Sequence, residues 1–169
     1  YKIEYNHKGK ISGRFELPAS KSISNRVLII NALSGSDKSV ANLAKCDDTD
    51  VMVKALASDS HLVDIGAAGT SMRFLTAYLS IKSGEWTITG SQRMKERPIQ
   101  ILVDALRSIG ADIEYAENEG FPPLEIRGKE IEGGDVEIDG SVSSQYISAL
   151  MMIAPMLKNG LRIHLLNGV

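Results

Sequence analysis

Gly69-Thr-Ser-Met-Arg73, Phe74-Leu-Thr-Ala-Tyr-Leu-Ser-Ile81, Gly84 and Glu85-Trp-Thr-Ile-Thr89 read as one continuous layout. A polar opening, an apolar run, a glycine and a short run rich in β-branched and aromatic residues predict a helix, its stop and a strand. The same layout occurs twice more. An earlier copy runs Ser20-Lys-Ser-Ile-Ser-Asn-Arg26, Val27 to Leu33, Gly35 and Lys38 to Leu43, and a later one runs Ser143-Ser-Gln145, Tyr146 to Ile153, Gly160 and Leu161 to Leu165. Ser22 and Thr70 are 48 positions apart, Gly35 and Gly84 are 49, and Val53-Lys-Ala-Leu56 and Val103-Asp-Ala-Leu106 are 50. Three landmarks at nearly one offset indicate a structural repeat.

After the second copy, Asp112 to Tyr115, Leu124 to Arg127 and Asp135 to Ile138 read as strands, separated by turns at Pro122-Pro123 and Gly133-Gly134. The unit is therefore β-α-β-α-β-β, which places the chain in the α/β (α+β) class. Its first copy is abbreviated, because only Ser58 to Ile65 separates its second helix from the next unit. The leading helices are apolar almost all round, which predicts helices buried on several sides, with Met151, Met152 and Met156 as core. Trp86 is expected to pack as well.

Composition narrows the classes. With 169 residues, 43% hydrophobic and 24% charged, the chain is expected to fold rather than stay disordered. The longest mostly apolar stretch, Ile147 to Leu157, is interrupted by Ser148 and Pro155 and falls short of the ~20 residues of a membrane span. The single cysteine, Cys46, excludes an internal disulfide framework and a four-cysteine zinc site, so a reducing compartment such as the cytoplasm fits best. His7, His61 and His164 lack ligand spacing, so no metal site is expected. Nineteen Lys and Arg against 21 Asp and Glu leave a net charge of -2, without the basic field of a nucleic-acid binder. Any anion site must therefore be local. The start at Tyr1 and the stop at Val169, just after a strand-like run, read as the ends of a piece of a longer chain.

A helix N-terminus has about four unpaired amide N–H groups and a partial charge of about +0.5, so it attracts anions. Three such ends carry hydroxyls and long polar side chains: Lys21, Ser22, Ser24 and Arg26; Thr70, Ser71 and Arg73; Ser143, Ser144 and Gln145. Ser22 and Arg26 share a helix face and could grip one phosphate or carboxylate. The plainer reading is that these hydroxyls are caps; their recurrence in parallel units favours a shared ligand. A second cluster, Arg93-Met-Lys95-Glu-Arg97-Pro98, sets three cations before a proline suited to a first helical turn. Cations there oppose the helix dipole, so they either serve an anionic ligand or pair with Asp47, Asp48 or Asp50.

Leu17-Pro-Ala-Ser-Lys21-Ser22-Ile-Ser-Asn-Arg26, Ala68-Gly69-Thr70-Ser-Met-Arg73, Arg93-Met-Lys-Glu-Arg97-Pro98 and Gly140-Ser-Val-Ser143-Ser144-Gln145 closely resemble the 5-enolpyruvylshikimate-3-phosphate synthase family. Four motifs in order, collinear from about residue 11, are far more specific than any one. The resemblance implies a two-domain inside-out α/β barrel, the enolpyruvyl transferase fold, each domain built of three such units. Residues 1–14 would be a strand belonging to the second domain and 15–169 an incomplete first domain, about two and a half units, with the second domain absent.

The activity implied is transfer of the enolpyruvyl group of phosphoenolpyruvate to the 5-hydroxyl of shikimate 3-phosphate, in the shikimate pathway of aromatic amino-acid biosynthesis. No metal or organic cofactor, nucleic acid or membrane is implied, and the full-length protein would be a cytoplasmic monomer. Carried over by position, Lys21 would contact both substrates and move a proton. Ser22, Arg26, Ser143 and Ser144 would bind shikimate 3-phosphate, Gly69 and Arg93 phosphoenolpyruvate, and Gln145 both, with Thr70, Arg73, Lys95 and Arg97 in support. Ala67 stands where the family commonly has Asn, and Phe74 where many members have Pro. The acid/base carboxylates would lie beyond Val169, so this chain alone is expected to be inactive. Two other readings are a non-catalytic phosphate-binding module and the RNA 3'-phosphate cyclase branch of the architecture; the latter needs a nucleotide-linked His and a basic surface that the sequence does not display.

Overall fold

The computed structural model describes residues 12–167 and the single residues 4 and 9. The described elements are helices α1 (Lys21–Leu33) and α2 (Asp47–Ala57), strand β1 (Leu62–Asp64), helix α3 (Gly69–Ile81), strand β2 (Gly84–Thr89), helices α4 (Gln92–Lys95) and α5 (Gln100–Ser108), strands β3 (Asp112–Tyr115), β4 (Leu124–Gly128) and β5 (Gly134–Asp139), helix α6 (Ser144–Ile153) and strand β6 (Leu161–Leu166).

The middle repeat is complete. β1 runs parallel to β2, β2 pairs antiparallel with β4, and β4 with β3, giving the order β1-β2-β4-β3. The third copy forms a second, two-stranded sheet in which β5 runs parallel to β6, with Val136 opposite Ile163. The crossover of the first parallel pair is α3 and that of the second is α6 followed by a 3-10 turn at Ala154–Met156, and α3 and α6 pack on each other and on α1. The strands expected after the second and third leading helices, those at Asp112 to Tyr115, Leu124 to Arg127 and Asp135 to Ile138, and the β-α-β-α-β-β order of the middle unit are thus present. The glycines that stop the leading helices adopt φ of +62° at Gly35, +133° at Gly84 and +66° at Gly160, a region costly for any residue with a Cβ.

α3 is the core helix. From Gly69 to Ser80 only Arg73 and Tyr78 escape burial. Its buried Thr76 and Ser80 hydroxyls donate back to the Met72 and Ala77 carbonyls, both at 2.7 Å, so neither is stranded in apolar surroundings. Trp86 packs as expected, at 8% exposure, with its indole N–H on the Lys82 carbonyl at 3.0 Å.

Three expectations need correction. α1 is not covered on all sides: Ser24, Asn25, Leu28 and Ile29 are buried, whereas Ile23 (65%), Val27 (37%) and Ile30 (51%) are open. The described neighbours of α1, namely α2, α3 and α6, reach only one side of it. Met151 (61%) and Met156 (51%) are likewise exposed rather than core, and Met152 is half-buried. Lys38 to Leu43 joins no described ladder and bends at Asn42, where φ is +53°. In the other two copies the partner is the strand before the helix, and here residues 12–19 form no described strand. The strand expected over 1–14 lies largely outside the described residues; residues 4, 9 and 12–14 are in no ladder. No described helix is long and apolar enough to cross a membrane.

Candidate functional site

Parallel pairing of β1 and β2 brings their C-terminal ends side by side, the edge where open α/β sheets present ligand sites. The two loops leaving that edge are tied together, since the Ser91 amide donates to the Gly66 carbonyl at 2.9 Å. A Cβ on Gly90 would stand 2.5 Å from that carbonyl, so only glycine permits the approach. The N-terminus of α3 is thereby set against α4 and the residues after it. An open cleft of about 460 Å³ lies there, lined by Ala67, Ser91, Arg93, Met94 and Arg97. Gly69 is buried between two arginines: a Cβ would collide with the Arg97 guanidinium and meet Arg73 Nη1 at 3.0 Å.

The N-termini of α1, α3 and α6 are linked in a ring. Lys21 Nζ is 3.4 Å from Asp48 Oδ2, and the Asp48 carbonyl accepts from the Ser71 hydroxyl at 3.0 Å. Beside Ser71, Thr70 Oγ1 accepts from Gln145 Nε2 at 3.4 Å. From α6 the ring returns to α1 through Ser148 Oγ, which donates to the Ser144 carbonyl at 2.8 Å and accepts from Arg26 Nη2 at 2.9 Å. Arg26 Nη1 then reaches the Ser22 carbonyl at 3.0 Å and hydroxyl at 3.1 Å. Lys21, Ser22, Arg26, Thr70, Ser144 and Gln145 are therefore joined by one continuous set of contacts, with Ser143 capping α6 through the Gln145 amide at 3.3 Å.

Capping accounts for few of these hydroxyls. Ser20 caps α1 and Ser143 caps α6, but Ser22 and Thr70 cap nothing, and α3 begins at Ala68 without a side-chain cap. The cations are equally telling. Arg26, Arg73, Arg93 and Arg97 make no ion pair with any described carboxylate; Asp47, Asp48 and Asp50 do not neutralise the second cluster. Lys95 is the exception in that cluster, bound to Glu117 at 2.6 Å, which removes it from the anion-facing set. Arg93 and Lys95 lie in the one-turn α4, and Pro98 precedes α5 by two residues instead of sitting in its first turn.

Reasoning from the sequence missed Ser148, Tyr146 and the backing role of Phe74. Ser148 stands four residues after Ser144 on one helix face, a legible spacing. The two rings carried no signal beyond apolarity. Arg26 Cζ lies 5.1 Å from the Phe74 ring centroid and Arg73 Cζ 5.4 Å from that of Tyr146, whose hydroxyl donates to the Pro98 carbonyl at 3.0 Å.

The family model for EPSP synthase (3-phosphoshikimate 1-carboxyvinyltransferase) matches residues 5–58 and 56–169. A 3-phosphoshikimate 1-carboxyvinyltransferase of Bacteroides fragilis (strain YCH46) is 62% identical over 156 residues, covering 92% of this chain and 38% of that protein. One from Haemophilus influenzae (strain PittEE) is 44% identical over 185 residues, covering 92% of this chain and 43% of that protein. An EPSP synthase from Acinetobacter baumannii superposes with a TM-score of 0.74 at 23% identity, over 86% of this chain and 39% of that chain, which supports the fold. The chain thus spans about two fifths of the length of these relatives. With matches to the family model along nearly its whole length and a relative this similar, the chain belongs to the EPSP synthase (3-phosphoshikimate 1-carboxyvinyltransferase) family.

Proposed function

We propose that this chain supplies one face of the active site for transfer of the enolpyruvyl group from phosphoenolpyruvate to the 5-hydroxyl of shikimate 3-phosphate. The observation that carries this reading is the ring of three helix N-termini bordered by four arginines that have no carboxylate partner among the described residues. The two substrates together bring two phosphates and two carboxylates, and unpaired guanidiniums with free amide groups are the complement such anions need. Arg26, Ser22, Ser143 and Ser144 hold shikimate 3-phosphate. Gly69 and Arg93 hold phosphoenolpyruvate from the cleft beside α4, supported by Arg97, Thr70 and Arg73. Gln145, spanning from α6 to Thr70, touches both.

Lys21 contacts both ligands and takes part in the proton movements. The reaction adds a proton to the methylene carbon of phosphoenolpyruvate as the 5-hydroxyl oxygen bonds to its C2 and loses its own proton. The tetrahedral adduct then loses a proton from the new methyl group and expels phosphate, restoring the double bond. Anion-binding groups already in place stabilise the charge that shifts toward the leaving phosphate. Acid/base carboxylates come from the part of the relatives that this chain does not cover, so the 169-residue chain is inactive alone. Residues 15–169 correspond to an incomplete first domain and 1–14 to a strand of the second. The complete protein works as a cytoplasmic monomer without metal or organic cofactor.

The test is a chimera joining this chain to the remainder of the 62%-identical Bacteroides fragilis protein. Phosphate release dependent on both substrates is expected from the chimera and not from the chain. A folded chimera that binds phosphate but never turns over supports instead a non-catalytic anion-binding module.

A further inference from the structure

Two of the site's arginines are held by more than hydrogen bonds. Arg26 lies over the face of Phe74, a ring with 0% exposure, and Arg73 lies over Tyr146, which is 4% exposed. The arrangement is serial: the arginine of α1 rests on a ring of α3, and the arginine of α3 rests on a ring of α6. We propose that Phe74 and Tyr146 are positioning residues, each aiming one site arginine by presenting its π face. The proposal rests on the reading of Arg26 and Gly69 as ligand contacts.

The physical case begins with cost. A guanidinium carries large rotamer entropy and a strong hydration shell, so holding it still beside a helix N-terminus of the same sign needs compensation. No described carboxylate provides any. Arg73 Nε is buried without a partner, and its Nη1 donates to the Gly69 carbonyl at 2.7 Å. What remains for Arg73 is the Tyr146 face; a flat aromatic surface attracts the cation without neutralising it, so the charge stays available to an anion. Arg26 is in the same position, fixed by neutral oxygens of Ser22 and Ser148 above Phe74. A carboxylate in place of either ring would compete with the substrate.

The two rings serve different substrates. Phe74 aims Arg26 at shikimate 3-phosphate. Tyr146 holds Arg73 on the Gly69 carbonyl and, through its hydroxyl on Pro98, braces the segment that carries Arg97, so it acts on phosphoenolpyruvate. In the chimera, Phe74→Leu should raise KM for shikimate 3-phosphate about five- to thirtyfold and leave KM for phosphoenolpyruvate within about twofold. Tyr146→Leu should do the reverse, and Tyr146→Phe, which keeps the ring, should recover most of the loss. Should Phe74→Leu lose the fold, Phe74→Met refills the volume with a flexible apolar chain and keeps the comparison. Arg26→Lys combined with either Phe74 variant should cost less than the sum of the single effects, because the planar stack is lost once. Equal changes in both KM values, or lower melting temperatures with both KM values unchanged, overturn the proposal and leave the function standing. An unsubstituted chimera without turnover overturns both.

Discussion

Gly69→Ala separates folding from binding at one position. A Cβ there collides with the Arg97 guanidinium and comes within 3.0 Å of Arg73 Nη1, whereas uncrowded heavy-atom contacts lie at about 3.5 to 4.0 Å. The Arg97 guanidinium must therefore move by about an ångström or more. It is the far end of a flexible, exposed side chain that makes no described ion pair, so folding barely registers the move. Replacing glycine by alanine in a helix gains up to ~1 kcal/mol, so the melting temperature of the chain should stay level or rise by a few degrees. Binding suffers the opposite fate. A charge-assisted hydrogen bond to a ligand oxygen is worth ~1.5 to 3 kcal/mol, so displacing Arg97 should raise KM for phosphoenolpyruvate in the chimera roughly 10- to 150-fold. KM for shikimate 3-phosphate should move little, because the atoms nearest a Gly69 Cβ belong to Arg97 and Arg73, whereas Arg26 is held by Ser22 and Ser148. Thermal melts of the chain and steady-state kinetics of the chimera check both arms. A melting temperature lowered by ten degrees or more, or an unchanged KM for phosphoenolpyruvate, refutes the reasoning.

Further outcomes follow from the same geometry. Lys21→Met in the chimera should abolish phosphate release while the protein still binds shikimate 3-phosphate by calorimetry; appreciable residual turnover would contradict the role given to Lys21. Arg97→Ala should weaken phosphoenolpyruvate binding tenfold or more, whereas Lys95→Ala, whose ammonium is occupied by Glu117 at 2.6 Å, should change it less than about threefold. Burial, together with Asp104 and Glu119 and against the opposing pull of Arg107, pushes the Tyr115 phenol up to about 12. The unfolded chain then ionises first as pH rises past 10, so stability falls between pH 10 and 12, and Tyr115→Phe should flatten that part of a denaturation-versus-pH curve. The Tyr115 hydroxyl is also buried without a hydrogen-bond partner, so the same substitution should leave neutral-pH stability unchanged or slightly higher by urea melts. Asn25 Oδ1 accepts from Thr49 Oγ1 at 2.9 Å inside the α1–α2 contact, so Thr49→Val should cost about 1 to 3 kcal/mol in the same assay.

Periodicity and punctuation are local properties, and they sufficed for the repeat. Apolar runs opened by Gly69 or Ser143 and closed by Gly84 or Gly160 can be read from neighbours along the chain, and each became a helix followed by a strand. The motifs around Lys21, Gly69, Arg93 and Gln145 were legible for the same reason, since residue type and spacing along a helix start define an anion site before any packing is known. Their resemblance to one enzyme family carried the rest.

Burial and partnership depend on residues distant in sequence, and only the tertiary structure decided them. Lys38 to Leu43 has the composition of a strand yet lacks one, because a ladder requires a second chain segment at hydrogen-bonding distance. Ile23, Val27 and Met151 are as apolar as the core residues but face outward, because no described element covers them. Lys95 and Arg97 are two residues apart and equally cationic, and the tertiary position of Glu117 alone separates the neutralised one from the free one. The chain order names the charges; the approach of α1, α3 and α6 sets which stay unpaired, since Coulombic pairing follows distance in space.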